Sequence, residues 1–402
     1  MKYFSRNIEG VLKQAVRQFR VLVLTGMRQT GKSTLLWRLF KKTHRYVSLD
    51  NPRDLKLAQD DPELFLDEYR EPLIIDEIQY APQLLAYIKI RVDRSGKRGQ
   101  FILTGSQQFT MTHNLQETLA GRAAIFHLFP MAITEAKAAT QSYVFRAING
   151  SYPELVVRPS HDPQRWFGSY VATYIEKDIQ PFYRLEKVTH FRDLLFLLAA
   201  RSSQALNYQS LSNDLGVSIQ AVKLWVNILE ISQVIFLLRP YHSNLGSRII
   251  KSPKVYFTDA GLVNYLIGNK SKTALVRGAQ AGAIFENFVV QELLKHYYNL
   301  GLTPPLYYYR TNNGLEIDII IEEKAGVIRP CEIKLTKTPN SGMVNSIERF
   351  RSLNKSKKLS ILNGCVISLV NRSFPLTKTA RAYNLKEFLS VIQKLDRPRR
   401  PK

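Results

Sequence analysis

Two stretches of this sequence have the residue types and spacing that phosphate chemistry requires. The first, GMRQTGKS, fits the pattern G-x-x-x-x-G-K-[ST] with Gly26, Gly31, Lys32 and Ser33. In such a loop the glycines let the backbone wrap around phosphate oxygens, and the amides at the start of the next helix face the anion. The lysine reaches the β- and γ-phosphates, and the serine hydroxyl binds Mg²⁺. The pattern predicts a site for ATP and Mg²⁺, with these nucleotide-binding residues: Gly26, Met27, Arg28, Gln29, Thr30, Gly31, Lys32, Ser33 and Thr34.

The acidic end of a predicted strand supplies the rest of this site. In PLIIDE, an apolar run carries Asp76 and Glu77 to the end of the strand. We expect Asp76 to hold Mg²⁺ through water and Glu77 to polarise the attacking water. Ser106, at the end of FILTGS, suits a polar sensor of the γ-phosphate. Arg122, in LAGRAAIF, is either an arginine finger, acting in its own subunit or a neighbour, or a solvated charge. The predicted catalytic residues are Glu77, Lys32, Ser106 and Arg122, and the predicted metal ligands are Ser33 and Asp76.

The second stretch, GLEIDIIIEEKAGVIRPCEIKL (314–335), reads as two strands joined by a Gly-containing turn. A hairpin centred on Ala325 opposes residues whose numbers sum to 650, so that Asp318 faces Glu332 and Glu316 faces Lys334. A metal ion could bridge the first pair, with Lys334 orienting water, as in a metal-dependent nuclease. The alternative is a degenerate site in which the carboxylates pair with Lys334 or Arg310. Glu286, on the preceding predicted helix, is a further candidate ligand, which gives the candidate nuclease site Glu286, Asp318, Glu332 and Lys334.

Strands and helices alternate along the first 150 residues. Short runs rich in Val, Leu and Ile read as buried strands, separated by helical stretches. This alternation predicts a parallel sheet with helices on its faces. The predicted strands are 20–26, 45–50, 72–77 and 99–106.

The character of the sequence changes after residue 150. Helical stretches lead into a helix–Gly turn–helix pattern over 210–232 and two strand-like runs, which together suggest a winged helix. A polar, small-residue segment at 266–282 reads as a linker, and a helix and four strands follow it. We therefore predict an α/β protein with these domains: a P-loop ATPase core (1–150), a helical and winged-helix domain (151–272), a restriction-endonuclease-like α/β domain (273–396) and a basic tail (397–402).

Motifs spread over nearly the whole chain resemble those of a known family. The motifs are LTGMRQTGKSTLL, LIIDEIQ, ILTGSQQF, LAGRAAIFHLFPM, SYPELV, YIEKDI, FENFVVQELL and the pair EIDIII and CEIK. They resemble the prokaryotic AAA-like ATPases, related to the signal-transduction ATPases with numerous domains, that carry a C-terminal domain of unknown function. The resemblance implies an ATPase core, a winged helix and a restriction-endonuclease-like C-terminal fold.

The charge of the chain indicates a polyanionic partner. Its 402 residues carry a formal net charge of +24, and residues 276–402 alone have 21 Lys and Arg against 10 Asp and Glu. We expect sequence-tolerant DNA binding, with a protein partner or a homo-oligomer as further expectations. The two cysteines allow no disulfide framework or zinc site. No apolar run is long enough to span a membrane or serve as a signal peptide, so a cytoplasmic protein without a membrane partner is expected.

Overall fold

The computed structural model describes residues 3–106, 118–136, 141–175, 188–241, 252–269, 271–354 and 359–396. These residues form an N-terminal part built on a parallel sheet, a helical middle part and a C-terminal part built on a separate mixed sheet. The predicted α/β class is therefore confirmed. The predicted tail, 397–402, lies outside the described residues.

The N-terminal sheet has five parallel strands in the order β2-β3-β4-β1-β5. Side chains of β1 alternate between two hydrophobic cores, one on each face of the sheet. A strand buried on both faces must be apolar throughout, which is why these strands could be found in the sequence. The strands are β1 (Val21–Gly26), β2 (Arg45–Ser48), β3 (Leu73–Asp76), β4 (Phe101–Ser106) and β5 (Ala123–His127), and the helices are α1 (Glu9–Gln18), α2 (Lys32–Phe40), α3 (Pro52–Asp60), α4 (Pro62–Tyr69) and α5 (Leu84–Ser95).

The edge strand β5 is absent from the prediction. It pairs with β1 from Val21 to Thr25, directly after Arg122. Its side chains are only partly buried, and Ile125 is exposed. An edge strand of this kind lacks the continuous apolar run that identifies the central strands.

The middle part is helical, with one antiparallel pair of strands. Gly216, in the left-handed conformation, ends the first helix of the predicted helix–turn–helix. Four polar residues on one side of the second helix are exposed: Ser218, Gln220, Lys223 and Asn227. The helices are α6 (Tyr143–Asn149), α7 (Pro153–Val157), α8 (Pro163–Tyr170), α9 (Val188–Ala200), α10 (Tyr208–Leu215), α11 (Ile219–Ile231) and α12 (Ala260–Leu266), and the strands are β6 (Ile235–Leu238) and β7 (Lys254–Phe257).

The C-terminal sheet has seven strands, mixed parallel and antiparallel, in the order β13-β14-β12-β10-β9-β8, with β11 beside β10. The long helix α14 packs on it and on the middle part. The strands are β8 (Leu306–Arg310), β9 (Glu316–Lys324), β10 (Val327–Lys334), β11 (Ser360–Ile361), β12 (Gly364–Ser368), β13 (Phe374–Pro375) and β14 (Ala380–Tyr383), and the helices are α13 (Lys272–Arg277), α14 (Ala281–Asn299), α15 (Asn345–Leu353) and α16 (Leu385–Asp396).

The predicted linker at 266–282 is wrong. Its residues form α13 and lead directly into α14, and Leu275 is fully buried. One hydrophobic core runs from Met27 of the P-loop through the middle part and into α16. The small, polar composition of the segment hid this packing, because a single leucine is enough to anchor a short helix.

The described residues contain no helix that is both long and apolar enough to cross a membrane.

Candidate functional site

The P-loop has the backbone that its glycines predict. Gly31 takes the left-handed conformation (φ 88°) immediately before α2, where a residue with a side chain would be strained. Gly26 lies so close to the residue that follows β5 that a Cβ at this position would be 2.3 Å from the carbonyl oxygen of Leu128. The sequence folds this way because β1 ends in glycine and α2 begins directly after another. The amides at the start of α2 are therefore available to an anion.

Lys32 lies across the loop rather than in solvent. Its side chain is buried, and its Nζ donates to the carbonyl oxygens of Gly26 and Met27, both at 3.0 Å. The ammonium is thus held within the loop that would surround the phosphates.

A tyrosine brings the two predicted metal ligands together. The hydroxyl of Tyr46, on β2, donates to Asp76 Oδ2 at 2.5 Å, and Ser33 is close enough to influence its pKa. Asp76 is buried at the carboxyl end of β3. Burial, together with the neighbouring carboxylate, raises the pKa of Tyr46, so this hydroxyl stays protonated. A hydroxyl and a buried carboxylate placed around one point form an oxygen donor set suited to Mg²⁺.

Three carboxylates gather at this edge of the sheet. Glu77 follows Asp76 in a left-handed conformation (φ 57°), which is unusual for a residue with a side chain, and it accepts a hydrogen bond from the amide of Gln79. Asp50 follows β2, and its pKa is raised by burial and by the negative charges of Glu77 and Asp76. A left-handed backbone at Glu77 and a concentration of negative charge are features that functional sites often have.

Ser106 ends β4 beside Gly26, the first glycine of the P-loop. The backbone position agrees with a sensor at the carboxyl edge of the sheet. Its side chain is outside the described residues.

The structure contradicts an arginine finger at Arg122 within its own subunit. Arg122 precedes β5, and its carbonyl oxygen accepts from Val21 N at the start of β1. The P-loop follows the other end of β1, about 17 Å away at 3.3 Å per residue. The Arg122 guanidinium instead makes two 2.8 Å contacts with Asp93. The short sequence distance between Arg122 and the sensor strand was misleading. Before β5 begins, the chain has returned to the amino-terminal ends of the parallel strands, whereas the P-loop lies at their carboxyl ends.

The second predicted site also comes together in the structure. The β9–β10 pairing has the predicted sum of 650 at every pair from Ile328–Glu322 to Cys331–Ile319. Beyond these pairs, Lys334 Nζ lies 3.2 Å from Asp318 Oδ2 and 2.6 Å from Glu332 Oε2. Asp318 Oδ2 also accepts from Ile333 N at 2.8 Å. Asp318, Glu332 and Lys334 therefore form one direct ion-paired group.

The neighbouring carboxylates pair with other cations. Glu316, predicted to lie across the hairpin from Lys334, forms ion pairs with Lys254 at 2.5 Å and with Arg310 at 3.7 Å. Glu286 also contacts Lys254, at 3.2 Å. The register of the β9–β10 hairpin could not show that Lys254, on β7, would form an ion pair with Glu316.

Burial dominates the electrostatics of this cluster. It raises the pKa of Glu286 to about 7, and burial and then Asp318 raise the pKa of Glu332 to about 8. Glu332 Oε1 is buried and has no hydrogen-bond partner. No three His, Cys, Asp or Glu side chains within the described part of the chain are placed to hold a metal ion.

Three families match successive parts of the chain: an AAA domain at residues 18–137, a domain of unknown function (DUF8612) at 140–273 and another (DUF4143) at 281–388. The chain is 31% identical to uncharacterized protein Rv2008c of Mycobacterium tuberculosis over 96% of its length and 85% of that protein. The same values hold for uncharacterized protein Mb2031c of Mycobacterium bovis.

The chain belongs to the family of these two mycobacterial proteins. Its N-terminal part, residues 18–137, is similar to an AAA domain. Among solved structures, the Walker-type ATPase paby2304 of Pyrococcus abyssi is similar, with 15% identity and a TM-score of 0.42 over 66% of this chain and 96% of that one.

Three residues of the two candidate sites were not predicted from the sequence. Tyr46 and Asp50 join Asp76 only because β2 lies beside β3 in the sheet. A tyrosine and an aspartate within the predicted strand 45–50 were the available signals, but strand order was unknown. Lys254 gave no signal, because it reaches the C-terminal cluster from a different part of the chain.

Proposed function

We propose that this protein binds ATP with Mg²⁺ and hydrolyses it at the carboxyl edge of the N-terminal sheet. The observation that supports the proposal is the buried carboxylate of Asp76, which accepts a hydrogen bond from Tyr46 near Ser33 of the P-loop. Loop glycines, a lysine, a hydroxyl and a carboxylate at one edge of the sheet are the groups that triphosphate hydrolysis requires.

Each side chain has a distinct part in the proposed reaction. The P-loop amides and Lys32 bind the phosphate oxygens and balance their negative charge. Ser33 and Asp76 would hold Mg²⁺, which neutralises charge on the β- and γ-phosphates when bound. Glu77 accepts a proton from the attacking water, and the Gln79 amide orients its carboxylate. Ser106 would contact the γ-phosphate from β4.

A cavity of about 120 Å³ next to the P-loop suits the nucleotide base. It is bounded by aromatic and apolar side chains from the N-terminus and α7, and by the start of α2. Flat apolar faces of this kind favour stacking of a planar base. The lining includes Tyr3, Phe4, Gly31, Thr34, Pro153 and Val157.

The test compares nucleotide binding with phosphate release in three variants. Lys32→Ala should lose ATP binding, because it removes the cation that faces the phosphates. Glu77→Gln should keep ATP binding and reduce turnover by roughly 10²-fold or more, as loss of a general base does. Glu68→Gln, an exposed glutamate of α4, is the matched control. Equal turnover in wild type and Glu77→Gln would contradict the assignment.

DNA is the proposed partner, bound through phosphates without sequence preference. The support is the net charge of +24. Nucleotide state would then change how the ATPase part sits against the rest of the chain. The shared core of the middle and C-terminal parts favours their moving together. A regulator that binds a protein partner without nucleic acid is the alternative, and it predicts no salt-dependent DNA mobility shift.

We further propose that the C-terminal fold is retained for binding rather than for cleavage. Lys334 bridges the two carboxylates that a nuclease would use for metal. The test is to incubate plasmid DNA with the protein and Mn²⁺ and to measure whether the DNA is cleaved. Cleavage by wild type that Asp318→Asn abolishes would instead establish a working nuclease.

A further inference from the structure

A lysine from the middle part of the chain lies inside the C-terminal carboxylate cluster. Lys254 is the first residue of β7, and its Nζ is 2.5 Å from Glu316 Oε1 and 3.2 Å from Glu286 Oε1. Only 3% of the residue is exposed. Asp318 is also close enough to act on its charge.

The surroundings fix Lys254 in this position. β7 is paired with β6 along its length, and Lys254 itself forms a further bridge with Ala205. Its ammonium lies 5.6 Å from the centre of the Tyr308 ring. The hydroxyl of Tyr256, on the same strand, donates to Glu286 Oε1 at 2.6 Å and holds that carboxylate in place. The strand pairing thus holds the backbone of Lys254, and the two carboxylates hold its ammonium.

The contacts of Lys254 are those that a divalent cation would make. A buried carboxylate needs a compensating charge, and a metal ion would have to bind the same oxygens of Glu286 and Glu316. We propose that Lys254 is the resident cation of this cluster, and that it excludes a divalent metal ion from Glu286 and Glu316. The cluster then joins the middle and C-terminal parts permanently. This inference does not depend on ATP hydrolysis.

Removing the lysine should create a metal site. Binding of Mn²⁺ is measured by electron paramagnetic resonance without nucleotide, in wild type, Lys254→Met and the double variant Lys254→Met/Glu286→Gln. Wild type should show no Mn²⁺ binding that depends on Glu286. Lys254→Met should gain about one Mn²⁺ per chain, with a melting temperature that rises on Mn²⁺ addition, and the double variant should lose that gain. Lys324→Met, at the exposed end of β9, is the matched control.

Two results would overturn the proposal. One is Mn²⁺ binding by wild type that Glu286→Gln abolishes. The other is a folded Lys254→Met protein, judged by circular dichroism and a cooperative melt, that gains no Mn²⁺. If Lys254→Met does not fold, Lys254→Gln, which keeps a polar group beside both carboxylates, replaces it. That variant keeps Glu286 and Glu316 as ligands, so it should still gain Mn²⁺ binding, and failure to do so in folded protein would also refute the proposal.

Discussion

At the residue scale, the P-loop could be predicted because its residues are consecutive. Gly31, Lys32 and Ser33 need no knowledge of tertiary structure to be placed together. Tyr46 could not be predicted in the same way, since its hydroxyl reaches Asp76 only through the neighbouring position of β2 and β3. The sequence therefore predicts the phosphate-binding half of the site better than the half that holds metal and water.

Arg122 is close to the predicted sensor strand in sequence but lies far from the P-loop in the structure. Because Arg122 is paired with Asp93 at the edge of the sheet away from the P-loop, Arg122→Ala should have the turnover of wild type. Phosphate release is measured over a wide range of protein concentrations. A large loss of turnover that mixing with Lys32→Ala protein restores would show that the finger acts in a neighbouring subunit.

His127 predicts a pH dependence of stability. Its Nδ1 lies 2.8 Å from Thr25 Oγ1, and burial lowers its pKa from 6.5 to about 4. Between these values the unfolded chain binds more protons than the folded one, so stability falls as the pH drops from about 6.5 to 4. Urea unfolding midpoints should decline less over this window in His127→Gln than in wild type. The half-buried His190 supplies the control variant His190→Gln, which should follow wild type.

At the scale of elements, strands and helices with complete patterns were predicted, whereas β5, β13 and β14 were not. The β9–β10 register followed from alternation and turn position alone, because a slip of one residue would move Asp318 to the other face. β13 and β14 were missed, since strands of two and four residues carry too little pattern. α14 was found from its apolar spacing, although the sequence did not show that it contacts all three parts of the chain.

The contact of α14 with the ATPase part depends on a buried ion pair. Glu292 and Lys295 are each 1% exposed and lie 2.9 Å apart, and Glu292 also accepts from Ile133 N at 2.6 Å. Glu292→Leu should lower the free energy of unfolding by about 3–5 kcal/mol, because it leaves Lys295 charged and buried. Glu292→Leu/Lys295→Met should recover part of that loss. Urea denaturation measures both, and a double variant less stable than Glu292→Leu would contradict the account.

At the scale of the whole molecule, the shared hydrophobic core limits how DNA binding can be tested. Deleting residues 276–402 would expose the core that joins them to the middle part, so a loss of binding in that variant would be ambiguous. Substituting exposed cations avoids this difficulty. Arg372 and Lys378 are exposed near β13 and β14, and Lys223 is exposed on α11.

We expect Arg372→Ala/Lys378→Ala to weaken DNA binding more than Lys223→Ala, because the charge excess is densest in the last third of the chain and α11 carries only one lysine. The logarithm of affinity falls as the logarithm of salt concentration rises, and each lost phosphate contact should make this slope less steep by about one. Fluorescence anisotropy with two DNA duplexes of unrelated sequence, between about 50 and 200 mM salt, measures affinity and slope together. An affinity that does not change with salt would contradict binding dominated by phosphate contacts. A strong preference for one duplex would instead indicate that α11 contacts the bases, and the exposed polar face of α11 would then be the surface to substitute.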